Sequence, residues 1–283
     1  MNENESAFKH YVCQDCFTSF SSMNTTNCIY CGGSRLEEGV GNPAQKISLI
    51  PFAYSLNDAY KEFKKRFRNP LVPFCFHSSK AKSLIKKLYV PCTLYNFVVE
   101  GNVNFLGMDK ISNVQGAPGQ TFESLFNTHF EFKNLLMSHY SRLSDEVLSN
   151  VNDYQFYATD GTASIIEDAA LVDGDIDTKK TFAVVQQKLL NHCLNTVRSS
   201  VSHERKKLNK NDMKVNVTGK SEIYVPIYLL NMKYEGKENL FIMNGQTGEI
   251  LGDPPISVGS IVVFSLLVFL VIFGVACLIA TLI

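Results

Sequence analysis

Four of the eight cysteines fall in two C-x-x-C pairs near the N-terminus, Cys13/Cys16 and Cys28/Cys31. Each C-x-x-C turn can present two thiolates to one ion, and two turns complete the tetrahedron that zinc prefers. The alternatives are disulfides, which need an oxidising compartment, and a thioredoxin-like redox pair, which needs a βαβ context. Four cysteine ligands leave no open coordination position, so we expect a zinc ribbon with a structural Zn²⁺.

Three aromatic residues, Phe17, Phe20 and Tyr30, lie beside these cysteines and are candidates for a surface that binds a partner protein. The alternative is that they cover the small core around the metal, because so small a module has little else to pack. The segment from Cys13 to Cys31 holds no Lys or Arg, so phosphate binding there lacks its main electrostatic source.

Basic residues concentrate between Ala59 and Leu88, with nine Lys or Arg against Glu62 alone. They are interpreted as solvated helix faces, as contacts with anionic lipid, or as contacts with nucleic acid or an acidic partner. The candidate binding residues are Lys64, Lys65, Arg66, Arg68, Lys86 and Lys87. The balanced total of 27 basic and 27 acidic residues argues against nucleic-acid binding as the dominant activity.

The C-terminal segment from Ser260 is apolar to Ile283 and would span about 36 Å as a helix, enough to cross a bilayer. We predict a transmembrane helix over 258–283 that makes the lipid bilayer a partner. The first thirty residues lack a basic n-region and an apolar h-region, so no signal peptide is predicted. We therefore expect a tail-anchored, single-pass protein of the cell membrane with its N-terminal bulk in the cytosol.

The predicted layout is a zinc ribbon over 8–35, a linker over 36–46, an α+β domain over 47–253 and the terminal helix. The domain begins with a strand at KISLIPF and a helix capped by Ser55 and Asp58. The later predicted elements are a second basic helix (78–87), a hairpin over 89–108 turning at Gly101-Asn102, a strand (129–135), a long amphipathic helix (178–207) and strands at 214–218, 222–234 and 239–243.

One internal similarity organises this domain. YVPCTLYNFVVEG from Tyr89 and YVPIYLLNMKYEG from Tyr224 align without gaps and match at Tyr, Val, Pro, Leu, Asn, Glu and Gly. Two related helix-plus-hairpin halves, about 47–140 and 175–253, are therefore predicted to share one antiparallel sheet. Chance similarity between two aromatic-rich strands is the alternative.

Several short motifs occur together along this sequence: the two C-x-x-C pairs, IPF from Ile50, FKK from Phe63, the two YVP strands, and MNGQTGEILGDPPIS leading into the apolar tail. In this arrangement they resemble the bacterial TFIIB-type zinc-ribbon-containing membrane proteins. The resemblance covers nearly the whole chain and implies a ribbon joined to a membrane anchor. The sequence departs from that pattern at Phe17, where such ribbons often carry Gly.

Motifs for common enzyme chemistry are missing from the sequence. No G-x-x-x-x-G-K-[ST], G-x-S-x-G or H-E-x-x-H occurs, and the six histidines lack metal-ligand spacing. We therefore expect no enzymatic activity. The predicted function is a zinc-ribbon docking or scaffold module for protein partners, and the alternative is a membrane-associated regulator that binds nucleic acid.

Overall fold

The computed structural model describes residues 9–23, 25–39, 47–109, 120–143, 159–161, 169–176, 178–202 and 205–282. The chain folds into two compact units. The first unit comprises the chain up to Pro91, the segment Arg142–Gly174 and the chain from Ile223 onwards. The second comprises Cys92–Ser141 and Asp175–Glu222. The predicted halves, 47–140 and 175–253, do not coincide with these units.

The described elements mix strands with helices, as the predicted α+β class requires. The strands are β1 (Lys9–Cys13), β2 (Ser19–Ser22), β3 (Leu36–Gly39), β4 (Ile47–Leu49), β5 (Ile85–Asp109), β6 (Gln120–Ser138), β7 (Thr159–Gly161), β8 (Ala170–Val172), β9 (Arg205–Asn211), β10 (Lys214–Tyr234), β11 (Lys237–Asn244) and β12 (Ile250–Leu251). The helices are α1 (Leu56–Arg66), α2 (Phe74–His77), α3 (Lys80–Leu84), α4 (Thr178–Ser200) and α5 (Val258–Leu282).

The N-terminal ribbon is part of the sheet of the first unit. Its central strand β1 pairs antiparallel with β2 and with β3. Strand β2 in turn pairs with β8, placing Phe20 opposite Val172, and β8 runs parallel to β5, placing Leu171 beside Tyr89. Backbone hydrogen bonds therefore join the ribbon to the rest of its unit, whereas the sequence predicted a separate module followed by a linker.

Helix α1 covers the other part of the first unit. Ser55 caps it, because the Ser55 hydroxyl accepts a hydrogen bond from the Asp58 backbone N–H at 3.2 Å, as predicted. Its buried face meets α2, α3 and the β10–β11 hairpin in one aromatic cluster. The cluster includes Phe63, Phe67, Phe76, Tyr228, Leu230 and Phe241.

The second unit is built on β5 and β6, which pair antiparallel from Cys92–Ser138 to Asp109–Gln120. Strand β9 pairs with β5 on the side that β6 leaves free. Helix α4 packs its apolar stripe on these strands and forms the core of the unit. The predicted apolar stripe is confirmed. Its members are buried or partly buried, and the last of them lies just after the end of α4: Phe182, Val185, Leu189, Cys193, Val197 and Val201.

The predicted hairpin over 89–108 is wrong, because β5 continues through Gly101 as one strand. The glycine is needed for close backbone packing, since a Cβ there would lie 2.6 Å from the Asp212 carbonyl oxygen and 2.7 Å from Met213 Cα.

Strand β10 likewise runs without the predicted break between 218 and 222. Both similar segments end in a Glu-Gly pair, and of these two pairs only Glu235-Gly236 forms a turn, with φ of 50° and 75°. The duplication itself stays a prediction.

Three other predicted boundaries are also corrected. The proposed linker over 36–46 begins with strand β3, and residues 40–46 lie outside the described chain. The second basic helix ends at Leu84, because Leu88 and Tyr89 pair with β8 and this pairing keeps the preceding residues extended. Helix α4 ends at Ser200 rather than 207, and β9 follows it.

The C-terminal helix α5 runs from Val258 to Leu282. Its segment Val258–Ala280 has a mean hydropathy of 3.2, and none of it is buried inside the protein. At 1.5 Å per residue the helix is about 37 Å long, more than the hydrocarbon thickness of about 30 Å. The helix is therefore long and apolar enough to span a membrane.

Candidate metal centre

Two turns of closely similar backbone carry the four N-terminal cysteines. In the first turn the Phe17 N–H donates to the Cys13 carbonyl at 2.8 Å, and the Cys13 N–H donates to Thr18 O at 3.0 Å. The second turn repeats these bonds fifteen residues later. There Gly32 N donates to Cys28 O at 3.0 Å, and Cys28 N donates to Gly33 O at 2.7 Å. The C-x-x-C spacing thus produces two matching turns that face one another.

The two turns bring the four thiol sulfurs together. Cys13 Sγ lies 3.7 Å from Cys31 Sγ, and Cys16 Sγ lies 3.6 Å from Cys28 Sγ. All four sulfurs lie within 4.8 Å of one another. Ligands at about 2.3 Å from a tetrahedral zinc ion stand about 3.8 Å apart, so the closest sulfur distances fit that geometry. The predicted residues therefore form a cluster that could hold a metal ion.

Backbone N–H groups point at the sulfurs. Asp15 N approaches Cys13 Sγ, Tyr30 N approaches Cys28 Sγ and Gly33 N approaches Cys31 Sγ, each at 3.4 Å. Such donors stabilise negative charge on sulfur, which is the form that binds metal. The cluster is therefore arranged for thiolates as well as spaced for an ion.

The thiols differ in their surroundings. Burial raises the pKa of the Cys28 and Cys31 thiols, because a buried thiolate loses its hydration. Burial also opposes ionisation of Cys16, but hydrogen bonds from the side chain and backbone of Thr18 and from the Cys28 and Cys31 thiols together outweigh it and lower the pKa to about 7. A cation bound at the centre would provide the charge that buried thiolates need.

Arg142 contacts both cysteine turns, and the sequence did not indicate this role. Its Nη2 donates to the carbonyl oxygen of Cys16 in the first turn. Its guanidinium also lies over the Tyr30 ring in the second turn, 4.1 Å from the centroid. Arg142 is more than one hundred positions from both contacts, so no local pattern could have signalled it.

Side-chain contacts stabilise the edges of the ribbon, and two of them lie near the sulfur cluster or β8. Arg35 Nε donates to Asp15 Oδ1 at 2.7 Å, which links the first turn to the start of β3. His10 Nδ1 lies 3.3 Å from the Asp173 carboxylate just beyond β8. Both pairs support the sulfur cluster from outside rather than adding a ligand to it.

The three aromatic candidates take different positions. Phe17 is 77% exposed, whereas Phe20 is fully buried with its ring 5.7 Å from that of Tyr11. Tyr30 is half-buried against Arg142. The prediction that Phe20 forms a binding surface is therefore wrong, because its strand position points into the ribbon core. Only Phe17 presents a fully accessible ring.

Four of the predicted basic residues lie on α1 or just after it, and all four are exposed: Lys64, Lys65, Arg66 and Arg68. Lys65 Nζ lies 2.5 Å from Glu62 Oε1. Arg66 Nη2 lies 2.6 Å from Asp253 Oδ1, and its Nε donates to the Gly252 carbonyl at 3.3 Å. Two of these cations are thus already neutralised by acids of the same chain.

The other two basic candidates, Lys86 and Lys87, lie on β5 rather than on the predicted helix. Both are half-buried, and Lys87 Nζ lies 4.7 Å from the centroid of the Phe52 ring. Adjacent strand residues point to opposite faces of a sheet, so these two cations do not continue the basic face of α1.

Comparison with known proteins adds one relative. The chain is 22% identical over 238 residues to the uncharacterized protein YdjG of Bacillus subtilis strain 168, a match that covers 81% of this chain and 70% of the relative. No protein-family model and no solved structure matches the chain. The resemblance to the TFIIB-type zinc-ribbon family stays a prediction, and function must be inferred from the site.

Proposed function

We propose that this chain is a single-pass membrane protein, anchored by α5, whose cytosolic ribbon binds a structural Zn²⁺ and docks a protein partner. The observation that carries the proposal is the closed cluster of four thiols, Cys13, Cys16, Cys28 and Cys31, with the exposed Phe17 ring on its rim. Four thiolates fill the coordination of zinc, so no position is left for water or substrate. This arrangement supports a structural role and, with it, a binding rather than an enzymatic function.

The backbone at Phe17 supports a role for its side chain. Phe17 has a φ of 59°, and Gly32 occupies the equivalent place in the second turn with a φ of 76°. A side chain in this left-handed region costs roughly 1–2 kcal/mol, which glycine avoids. An exposed aromatic residue held in a strained conformation is typical of a contact site. The nucleic-acid alternative has no comparable support, because Lys65 and Arg66 are paired within the chain.

Photo-crosslinking in membranes tests the docking surface. We expect a benzoylphenylalanine at position 17 to give a discrete protein adduct, because an exposed ring on the rim would contact the partner directly. The matched control is the same photoreactive residue at Leu125, another apolar side chain that is 71% exposed. The adduct should disappear when Cys28→Ser is added. Identical adducts from positions 17 and 125 would contradict the proposal.

Thiol labelling in intact cells tests the orientation. Asn195 is exposed on α4, so Asn195→Cys in a Cys75→Ser background provides an accessible thiol. We expect a membrane-impermeant maleimide to label this thiol only after the cells are permeabilised, because the folded residues would face the cytosol. Labelling of N195C in intact cells would instead place these residues outside.

A further inference from the structure

An uncharged segment with an apolar centre, Leu71–Phe76, interrupts the basic part of the first unit. From Asn69 to Ser79 the chain has no Lys, Arg, Asp or Glu, although basic residues lie on both sides. Phe74 is 86% exposed and Cys75 is also exposed, whereas Phe76 is buried in the aromatic cluster. The buried Phe76 ring therefore fixes the segment to the domain, and the Phe74 ring points outward. The residues that the structure describes leave most of the Phe74 ring uncovered.

This segment is attached to the beginning of α5. The Ser257 N–H, one residue before the helix, donates to the Leu71 carbonyl at 3.0 Å. A cavity of about 720 Å³ lies between segment and helix. Its walls are mostly apolar and include Pro70, Val72, Phe74, Val263, Phe264 and Leu267, with His77, Tyr234, Ser257 and Ser260 as the polar members. A mostly apolar space of this size therefore adjoins the helix that could cross a membrane.

The length of α5 determines the depth of the cavity in a bilayer. The helix exceeds the hydrocarbon thickness by about 7 Å, whereas Leu267 lies about 13 Å along the helix from Val258. Even if the whole excess were at this end, Leu267 would lie about 6 Å inside the hydrocarbon. A cavity that reaches this depth is open to acyl chains, and most of its lining offers water no hydrogen-bond partner.

The flanking charges match a lipid surface. Arg68 directly precedes the uncharged segment, and Lys80 and Lys82 directly follow it; all three are exposed. A cation near an anionic leaflet contributes about 1 kcal/mol, and long basic side chains reach the headgroups while their neighbours lie deeper. An apolar segment bordered by cations is the pattern of an interfacial membrane contact.

We infer that the Asn69–Ser79 segment enters the leaflet next to the folded domain and that a phospholipid acyl chain occupies the cavity between Phe74 and α5. The protein would then contact the membrane twice, through a spanning helix and through a segment inserted into one leaflet. The second contact would fix the orientation of the first unit on the surface. This inference rests on the proposed membrane crossing by α5.

Tryptophan fluorescence tests the inference, because the chain contains no Trp and a single substitution gives a unique signal. Each variant is reconstituted as the full chain in vesicles of phosphatidylcholine and phosphatidylglycerol, with or without bromine on the acyl chains. Phe74→Trp is the test. Phe17→Trp is an exposed control in the ribbon, and Phe269→Trp reports on the middle of α5.

We expect F74W to emit at shorter wavelength than F17W and to lose fluorescence several-fold with brominated lipid, while F17W is unchanged. Quenching of F269W without quenching of F74W would overturn the inserted segment and leave the membrane anchor intact. Absence of quenching in F269W would overturn the anchor and the inference together. Equal quenching of F74W and F17W would indicate non-specific adsorption and would also overturn the inference.

Discussion

Cys28→Ser is expected to abolish zinc binding and to unfold the ribbon. A serine hydroxyl is not among the side chains that ordinarily bind zinc, and three remaining thiolates leave the tetrahedron incomplete. The ribbon has few buried apolar side chains of its own, chiefly Tyr11, Phe20 and Ile29, so we expect a bound metal to supply much of its stability. Structural zinc contributes about 10–16 kcal/mol in zinc-finger peptides, far more than such a core provides.

Metal analysis measures the loss of zinc, and hydrogen exchange measures the unfolding of the ribbon. The parent chain should bind about one zinc ion, and C28S should bind none. Amides of β1, β2 and β3 should lose protection by about 3 kcal/mol or more, and those of β8 should follow because β8 pairs with β2.

Cys75→Ser is the matched control, since Cys75 is an exposed thiol outside the cluster and its replacement should leave zinc content unchanged. Retention of zinc by C28S, or disulfides between the four cysteines in purified protein, would overturn the assignment of the metal centre.

Features with a local cause were predictable from the sequence. The spacing of the cysteines defines two turns, Ser55 is an N-cap because its hydroxyl reaches Asp58, and the stripe on α4 follows from its period. The absence of charge from Ser260 onward predicted α5 in the same way. Each of these signals lies within one continuous stretch of the sequence, so no distant partner was needed to interpret it.

Features that depend on distant partners were not predictable. Lys86 and Lys87 have helical neighbours, but pairing with β8 places them on a strand. Phe17 and Phe20 are both aromatic and near the four cysteines, but the pairing of β2 buries Phe20, whereas Phe17 lies in the turn before β2 and is exposed. Arg142 reaches the two cysteine turns from another part of the chain. Packing, which composition does not reveal, therefore leaves Phe17 as the most exposed of the three aromatic candidates for a partner surface.

The Glu-Gly pairs of the two similar segments also show that a local sequence does not determine a structure that depends on distant partners. Gly101 and Gly236 occupy identical positions in the repeated pattern, and a Gly followed by Asn suggested a turn at the first. In the structure only the second turns, and Gly101 instead lets β5 pass close to the backbone at Asp212. A glycine can serve a turn or a close approach, and its own sequence does not distinguish them.

Gly101→Ala is consequently expected to destabilise the chain far more than Gly236→Ala. Both glycines have positive φ, 145° and 75°, so both substitutions introduce backbone strain. At Gly236 nothing lies within 4 Å of the added Cβ, and the cost should be about 1 kcal/mol. At Gly101 the Cβ would meet backbone atoms of Asp212 and Met213, which cannot move away as a side chain can. Strain and overpacking together should cost about 3 kcal/mol or more.

Urea unfolding of the detergent-solubilised chain, followed by far-ultraviolet circular dichroism, measures the difference between the two variants. Hydrogen exchange locates it, because G101A should lower the protection of β5 and β9 in the second unit, where their backbones pair between Val103–Asn211 and Met108–Arg205. G236A should affect only the β10–β11 turn. Equal destabilisation by the two substitutions would mean that Gly101 is a turn glycine after all, and that β5 does not run through it as one strand.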